Sequence, residues 1–555
     1  MKSIIRFFVV LGLLVISACG GGGGSSSGSN ASNVADRLKS PAVGTSLNES
    51  TCFYQYTLQN ISSTSGIDPL LGQQWHLQNT GQPISGVTVT AGEDLRVFQA
   101  WSQSKGAGVR VAVVDDAIET IHEDLSQNAV AGGSFNYRTN SPYALFPLPC
   151  FKYTASNGQV IDDNHGTAVT GIILARDGNA VGGSGVAPRA ELVGYNALAT
   201  ETDADIADAL TRDLANNAIL HNSWGSNDDG KLHSADAPFI AAIKKGIETG
   251  RNGKGTIYVF PAGNGGCYLL SGKPAVCSDD NANLDGYTNK LGQVTVGAVG
   301  PDGKKLSYSE PGANVLVSAP AEDITTTSVT TTAGKYRSDF RGTSASAPMI
   351  SGVVALMLSA NPELTWRDVK LILAKSARKT NPTDAQWVSA NGYNFNPYYG
   401  FGVPEADKAV TLSKSWSSVG NSSSLKTCGP YNRNVNTNLP DAPAALREVV
   451  DSINIDASCS ISRIEFIEIT FSAQHAYSGD LRITLESPGG LQSALSQRRS
   501  CSDSGDACRP YNDWQFGSVR HLDEPTLGQW KLKVSDDAPN DIGTWKNWSL
   551  KFYGR

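Results

Sequence analysis

Apolar and polar positions follow two different periods along the first three quarters of the chain. Between about residues 51 and 412, short runs rich in β-branched residues are followed by segments whose apolar residues recur at helical spacing. Strands that alternate with helices predict an α/β domain, with a parallel sheet covered by helices on both faces. The predicted strands cover 109–114, 191–197, 218–223, 256–260 and 294–299, and the predicted helices cover 203–214, 237–248, 344–360 and 365–376.

After about residue 412 the pattern changes. Residues 413–427 are rich in Ser, Asn and Gly, which is typical of a linker. Beyond them, short alternating segments are separated by turn sequences such as 487–490 (SPGG), and no helical periodicity is evident. This pattern predicts an all-β sandwich or jelly roll over residues 428–555. Its predicted strands include 464–471, 480–485, 530–534 and 548–553.

The N-terminus has the features of an export signal. Lys2 and Arg6 precede an apolar run over 7–16, and small residues lead to Cys19. Residues 16–19 (ISAC) resemble a bacterial lipoprotein box, which predicts a signal peptide over 1–18 and a lipid on Cys19. An ordinary signal peptide cut nearby is the alternative. Residues 19–50 begin with a Gly/Ser-rich stretch that predicts a flexible tether. We therefore expect a bacterial protein at the outer membrane or cell surface, or released into the medium, that touches the membrane only through its lipid.

Composition narrows the class of protein. The 555 residues are 40% hydrophobic and 17% charged, which excludes a disordered chain, a coiled coil and a polytopic membrane protein. The 45 basic and 52 acidic residues give a net charge of -7, and no basic domain points to a nucleic-acid partner. Nine cysteines are an odd number for an exported chain, so one thiol needs an explanation.

Three short motifs carry residues for nucleophilic catalysis. Asp115 ends a predicted strand, His165 opens a helix in HGT, and Ser344 starts another in 342–348 (GTSASAP). A serine nucleophile needs a histidine to take its proton and a carboxylate to hold that histidine. In open α/β sheets such groups meet outside the carboxyl ends of the strands. Asn264, within 262–266 (AGNGG), follows another strand and is the candidate oxyanion donor. The six histidines other than His165 form no zinc-ligand spacing with Cys or acidic residues, which argues against a zinc hydrolase.

The motifs resemble those of the kexin/furin branch of the subtilisin-like serine peptidases, over about residues 66–412 and 428–555. The C-terminal region resembles the P domain of that branch. The resemblance covers most of the chain and rests on 115–116 (DD), 223–225 (SWG), 228–230 (DDG), 285–289 (DGYTN), 308–310 (YSE), 364–368 (LTWRD), 475–481 (HAYSGDL), 528–530 (GQW) and 545–548 (WKNW).

The resemblance implies a role for each matching residue. It implies that Asp115, His165 and Ser344 form the triad and that Asn264 stabilises the oxyanion. Asp228 and Asp285 then face a basic residue just before the cleaved bond, and Asp116 and Asp162 face the residue before that. Further substrate-binding residues are Ser223, Trp224, Gly225 and Tyr287. The implied activity is cleavage after Lys or Arg, with paired basic residues preferred, in protein or peptide substrates by a monomeric enzyme.

The resemblance also implies two structural calcium sites, for which carboxylates and carbonyls are suitable ligands. One site is formed by Asp228, Asp280 and Glu310. The other is formed by Asp68, Asp124, Asn179, Val181 and Gly183. Arg176 stands near a position where the family supplies a carbonyl ligand, which a backbone carbonyl of this chain can also provide.

Several features depart from the family pattern. Ala117 stands where Gly is usual, Pro261-Ala262 replace Ala-Ser before the oxyanion residue, and 267–277 is an insertion beside the cleft. Fewer than 50 residues lie between Gly20 and about Ile67, without room for the family's folded pro-region. We therefore expect either a separate helper or inhibitor protein or unaided folding.

If Cys19 carries lipid, eight cysteines remain, an even number that allows 105 pairings. Local spacing favours Cys267–Cys277 and Cys501–Cys508, with Cys428–Cys459 inside the β domain. Cys52–Cys150 then remains and ties the N-terminal extension to the catalytic domain.

Two rival functions are compatible with part of this pattern. A broad-specificity subtilisin would cut after Leu or Phe. A lipid-anchored binding protein would use the β domain and an inactive peptidase fold.

Overall fold

The computed structural model describes the chain in segments. They are 66–84, 86–138, 140, 151–154, 160–162, 164–268, 276–277, 279–331, 334–442, 448–500 and 508–555. Only the backbone is described for 151–154, 160–162, 267–268 and 276–277. The predicted signal peptide, Cys19, the tether, Cys52, Cys150 and Cys501 lie outside these residues.

An α/β domain precedes an all-β domain. In the α/β domain the described helices are α1 (Val97–Trp101), α2 (His165–Leu174), α3 (Asp203–Ala209), α4 (Ala237–Gly253), α5 (Thr343–Ala360), α6 (Trp366–Ser376) and α7 (Ala406–Lys414). Its described strands are β1 (Arg110–Val114), β2 (Phe151–Thr154), β3 (Val160–Asp162), β4 (Glu191–Tyr195), β5 (Asn217–Asn222), β6 (Ile257–Pro261), β7 (Cys267–Tyr268), β8 (Val276–Cys277), β9 (Gln293–Val299), β10 (Val315–Pro320), β11 (Ile324–Thr331), β12 (Gly334–Phe340), β13 (Ala377–Arg378), β14 (Val388–Ala390), β15 (Tyr393–Phe395) and β16 (Val403–Pro404).

Six strands form one parallel sheet in the order β10-β9-β6-β5-β1-β4. Every residue of β5, β6, β9 and β10 is buried, as expected for parallel strands covered by other elements. The longest covering helix, α5, packs on five of these strands. It is apolar and long enough to cross a membrane, but 89% of its length lies inside the protein, as in a core helix. The predicted α/β fold is confirmed.

Two predicted elements have different ends in the structure. Helix α3 stops at Ala209, five residues earlier than predicted, and the Leu210 carbonyl that follows it accepts the Tyr258 hydroxyl at 2.7 Å. Asp213, with a φ of 48°, then turns the chain toward β5. The segment predicted as a linker lies between α7, which ends at Lys414, and a strand that begins at Lys426.

The β domain is a sandwich of two four-stranded antiparallel sheets, as predicted. Their orders are β17-β24-β19-β22 and β18-β23-β20-β21. Buried and partly exposed residues alternate along β20, because one face of each sheet meets the core. The strands are β17 (Lys426–Leu439), β18 (Val449–Ile455), β19 (Ile464–His475), β20 (Leu481–Glu486), β21 (Gln492–Ser496), β22 (Tyr511–Ser518), β23 (Gly528–Asp536) and β24 (Gly543–Gly554).

The two domains share a continuous apolar contact. Phe466, Val519, Leu522 and Tyr553 of the β domain are buried in the same hydrophobic cluster as the α/β core. The β domain therefore packs directly on the α/β domain.

Candidate active site

Asp115 and His165 are adjacent in the structure. Asp115 follows β1 and is fully buried, and His165 is the first residue of α2. The imidazole Nδ1 lies 2.9 Å from Asp115 Oδ1 and 3.1 Å from Oδ2. A carboxylate that accepts from Nδ1–H leaves Nε2 as the basic nitrogen, which is the tautomer that a general base requires.

Ser344 is the second residue of α5, and the helix follows a glycine with positive φ. Gly342 has a φ of 91°, a conformation that favours glycine, and it starts the helix. The Ser344 hydroxyl lies 3.4 Å from the Ser223 carbonyl oxygen. Helix α5 contains Pro348, which has no N–H to donate to the carbonyl of Ser344. The Ser223 hydroxyl donates to that carbonyl instead, at 3.1 Å.

A buried hydrogen-bond chain holds the Ser223 hydroxyl. His221 Nε2 lies 2.8 Å from Ser223 Oγ, and His221 Nδ1 lies 2.9 Å from Ser351 Oγ on α5. Ser223 uses its single proton on the Ser344 carbonyl, so it accepts from Nε2–H and Nδ1 accepts from Ser351. Burial lowers the pKa of His221 to about 3, so the ring stays neutral. No sequence motif singles out His221, and only its position two residues before Ser223 could have suggested this role.

Asn264 lies beside the start of α5. Its Oδ1 accepts from the Thr343 N–H at 2.8 Å and from the Thr343 hydroxyl at 3.0 Å. These two bonds fix the amide plane and leave Nδ2 as the group that can donate to a developing oxyanion. The preceding Gly263 has a φ of 116°, and a Cβ there would lie 2.2 Å from Glu310.

The acidic pocket consists of Asp228, Asp280, Asp285 and Glu310, which line one cavity of about 10 Å³. All except the partly exposed Asp228 are buried. Burial raises the pKa of Asp228 to about 8 and that of Asp280 to about 7, and the neighbouring carboxylates add to both shifts. The pKa of Glu310 is raised well above its usual value by burial and by the charges of Asp280 and Asp228.

Asp285 is held in this pocket by the backbone. Its oxygens accept from the Ser226 N–H at 3.1 Å and from the Tyr287 N–H at 2.7 Å. The Trp224 and Tyr287 side chains are buried, Trp224 Nε1 donates to the Val114 carbonyl at 3.0 Å, and the role of both residues toward substrate stays a prediction. Ser223 and Gly225 are buried as well.

Asp116 is buried at the start of α2. Its Oδ1 accepts from the Ala117 N–H at 2.6 Å and from the Gly166 N–H at 2.8 Å. A carboxylate at a helix N-terminus also interacts favourably with the helix dipole. Asp116 thus anchors the residues around His165 in the structure, and its role toward substrate stays a prediction. Asp162 ends β3, and its side chain lies outside the description.

The second predicted calcium set also comes together. Asn179 Nδ2 donates to Asp124 Oδ1 at 2.8 Å, the Gly183 N–H donates to Asp124 Oδ2 at 3.1 Å, and the Asn179 N–H donates to Asp68 Oδ1 at 3.0 Å. The Val181 N–H donates to Asn179 Oδ1 at 3.1 Å. Burial, together with the Asp68 charge, raises the pKa of Asp124 to about 8.

Both calcium sets have the donor chemistry of a calcium site, because buried oxygens with raised pKa values would gain a counter-charge from a cation. In the described part of the chain, however, no three Asp, Glu, His or Cys side chains are already arranged as a metal-ligand group. Binding at either set therefore requires side-chain rearrangement or backbone and water ligands.

The predicted disulfides are described to different extents. Cys428 and Cys459 are bonded, with Cα atoms 5.6 Å apart. The backbone register places Cys267 opposite Cys277, although their side chains are not described. Cys508 is disulfide-bonded.

With this geometry in place, the chain can be compared with known proteins. The model for the subtilase family matches residues 106–402, and the model for the proprotein convertase P-domain matches residues 464–552. The chain therefore belongs to the subtilase family, whose members are serine endopeptidases, and it carries a P domain.

Within the family the chain is similar to kexin-type enzymes. It is 34% identical to the dibasic-processing endoprotease of Schizosaccharomyces pombe over 90% of this chain and 67% of that protein. It is 33% identical to kexin of Saccharomyces cerevisiae over 88% of this chain and 56% of that protein. The human proprotein convertase subtilisin/kexin type 7 is 32% identical over 88% of this chain and 60% of its own length. The chain thus spans 56–67% of the length of these three relatives.

A solved structure has the same architecture. The serine protease of Aeromonas sobria, in complex with its chaperone, aligns with a TM-score of 0.77 and 26% identity over 90% of this chain and 98% of that chain. The predicted resemblance to kexin-like subtilases is confirmed.

Proposed function

We propose that the chain hydrolyses peptide bonds after Lys or Arg, with a preference for paired basic residues. The observation that carries this proposal is the position of Asp228 and Asp285. They line a cavity whose other wall includes Ala262 and Gly263, the two residues before Asn264. A carboxylate pocket next to the oxyanion donor favours a positive side chain at the residue whose carbonyl is attacked.

The proposed reaction uses Asp115, His165 and Ser344 as the catalytic triad. The Ser344 hydroxyl attacks the substrate carbonyl while His165 Nε2 takes its proton, and Asp115 stabilises the imidazolium that forms. Asn264 Nδ2 donates to the oxyanion of the tetrahedral intermediate. His165 then gives its proton to the leaving amine. In the second half of the reaction, His165 takes a proton from the attacking water and returns it to the Ser344 oxygen as the acyl group leaves.

The preference for a second basic residue rests on Asp116 and Asp162. Asp116 is near His165 in space, because it contacts the first turn of α2. Asp162 is near His165 in sequence, because it ends β3 three residues before His165. A carboxylate in this region would attract a cation in the residue upstream of the cleaved bond.

Sequencing of peptides cut by the purified protein tests the specificity. Products should end in Lys or Arg, and Asp285→Asn should lower kcat/KM for Arg substrates by about 10–100-fold, as expected for loss of one charge-assisted bond. Asp229→Asn is the matched control, because Asp229 pairs with His233 and does not line the cavity. Products that end in Leu or Phe would instead identify a broad-specificity subtilisin, and no cleavage would favour a binding protein.

Calcium is proposed as the structural cofactor of both oxygen-rich sets. It would bind Asp228, Asp280 and Glu310, or Asp68, Asp124, Asn179 and the carbonyls of Val181 and Gly183, and it would offset the repulsion of the carboxylates. Treatment with EDTA should lower the thermal midpoint, and Ca²⁺ should restore it better than Mg²⁺. An unchanged midpoint would refute the cofactor.

We further propose an exported lipoprotein that folds with a separate helper protein. The lipoprotein box at Cys19 supports the anchor, and the chaperone complex of the Aeromonas sobria protease supports the helper. Abundant active enzyme from the chain expressed without any helper would refute the second proposal. A mature N-terminus without lipid on Cys19 would refute the first.

A further inference from the structure

The β domain supplies a buried arginine to the loop of the acidic pocket. Arg499 is 3% exposed, and its Nε donates to the Gly230 carbonyl at 2.6 Å. Gly230 directly follows Asp228 and Asp229, and its own N–H donates to Asp280 Oδ2 at 2.8 Å. Arg499 therefore fixes the carbonyl of Gly230, while the N–H of the same residue binds the pocket carboxylate of Asp280.

The orientation of Arg499 is fixed within the β domain. Its Nη1 donates to the Tyr511 hydroxyl at 2.9 Å and to Ser496 Oγ at 3.1 Å. Tyr511 and Ser496 lie on different sheets of the sandwich, on β22 and β21. A planar guanidinium bonded on both sides has little rotational freedom, so the β domain presents it as a rigid donor.

Strand β22 holds the other side of the pocket. Asn283 is fully buried two residues before Asp285, and its amide makes a two-way pair with Gly517. Asn283 Nδ2 donates to the Gly517 carbonyl at 3.0 Å, and the Gly517 N–H donates to Asn283 Oδ1 at 2.8 Å. Trp514 Nε1 adds a bond of 3.1 Å to the Asn283 carbonyl. The segment that carries Asp285 is thus fixed to the β domain.

We propose that Arg499 and β22 are positioning elements that set the selectivity of the acidic pocket for a basic side chain. The inference rests on the proposed function, because it concerns the same pocket. The two loops that carry Asp228 and Asp285 belong to the α/β domain, and each is also hydrogen-bonded to the β domain. The β domain therefore takes part in recognising the substrate without touching it.

This arrangement affects selectivity because charge-assisted hydrogen bonds are directional, whereas apolar contact is not. A pocket that relaxes by a fraction of an ångström keeps its shape for a neutral side chain but loses charge-assisted bonds to a guanidinium.

The test compares peptides that differ only in Arg or citrulline before the cleaved bond. The ratio of their kcat/KM values reports charge recognition, and active-site titration corrects for unfolded enzyme. Arg499→Met should lower the ratio by about 10-fold, chiefly through a higher KM for the Arg peptide, as expected for loss of a bond from a charged group. Arg499→Lys should restore part of it. Arg498→Met is the matched control, because the Arg498 side chain is 63% exposed.

The outcomes separate the inference from the function. A wild-type ratio near one overturns both. A high wild-type ratio that Arg499→Met leaves equal to the Arg498→Met value overturns the positioning role alone, as does an equal loss on both peptides. If Arg499→Met yields no titratable enzyme, Tyr511→Phe decides. It removes one acceptor of Arg499 and should lower the ratio about twofold, whereas an unchanged ratio refutes the inference.

Discussion

A buried ion pair joins the two domains, and its loss should destabilise the whole protein. The Arg367 side chain on α6 is fully buried, and Glu465 of β19 is 9% exposed. Arg367 Nε lies 2.8 Å from Glu465 Oε2, and its Nη2 lies 2.5 Å from Oε1. Its Nη1 donates to the Val419 carbonyl at 3.0 Å and to Ser424 Oγ at 2.9 Å, in the segment between the domains.

Glu465→Gln keeps the shape of this side chain and removes its charge. Arg367 then remains buried without a counter-ion, which typically costs about 3–5 kcal/mol. Arg555 also loses a partner at 3.1 Å. The matched control is Asp451→Asn, because Arg433 in that pair is 49% exposed and such pairs contribute about 0–1 kcal/mol.

The assay is guanidinium unfolding of both variants in a Ser344→Ala background, which prevents digestion of unfolded chains. We expect Glu465→Gln to lower the free energy of unfolding by several times the control value. A double variant, Arg367→Met with Glu465→Leu, should recover much of the loss, since an apolar pair leaves no buried charge. Equal effects of Glu465→Gln and Asp451→Asn would refute the reasoning.

Two further predictions concern the active site and its surroundings. Asn264→Asp keeps the acceptor for Thr343 but removes the oxyanion donor, so kcat should fall about 10²–10³-fold with little change in KM; a change in KM alone would contradict that role. Burial raises the pKa of Glu119 to about 7, although its Oε2 accepts from the Thr330 N–H at 2.6 Å. Because the pKa of Glu119 in the folded protein exceeds the usual 4.5, folding favours the protonated carboxyl. The resulting stabilisation is fully present below about pH 4.5 and is lost as pH rises through about 7. Glu119→Gln should remove about 3 kcal/mol of that pH dependence in unfolding measured between about pH 4 and 8.5, and an unchanged slope would contradict it.

The fold and the candidate triad could be predicted because their determinants are local in sequence. Asp115 follows the end of a strand, His165 starts a helix, and Ser344 comes two residues after a glycine with positive φ. Each of these local features is encoded by a short motif around the residue. The two domains could be told apart because helical and strand periods are also set by residues close in sequence. Helix α3 ends earlier than predicted, and the Leu210 carbonyl at its end is bonded to Tyr258, a residue far along the chain.

The supporting residues could not be predicted, since their partners are distant in sequence. Arg499 is 269 positions from Gly230, and His221 is 130 positions from Ser351. Each is an ordinary polar residue in its own segment, and its role exists only after the chain has folded. The burial of Trp224 and Tyr287 has the same origin, because their motif indicates a place near the cleft but not the direction of the rings.

The acidic pocket offers a physical reason for its contacts with the β domain. Carboxylates that attract a basic substrate also repel one another, and burial strengthens that repulsion, as the raised pKa values of Asp228 and Glu310 indicate. The substrate charge is present only during turnover, so the loops need permanent restraint. Arg499 supplies a charge and a bond to one loop, and Gly517 holds the other through Asn283. The proposed selectivity for a cation and the restraint of the pocket by the β domain would therefore both follow from the same buried carboxylates.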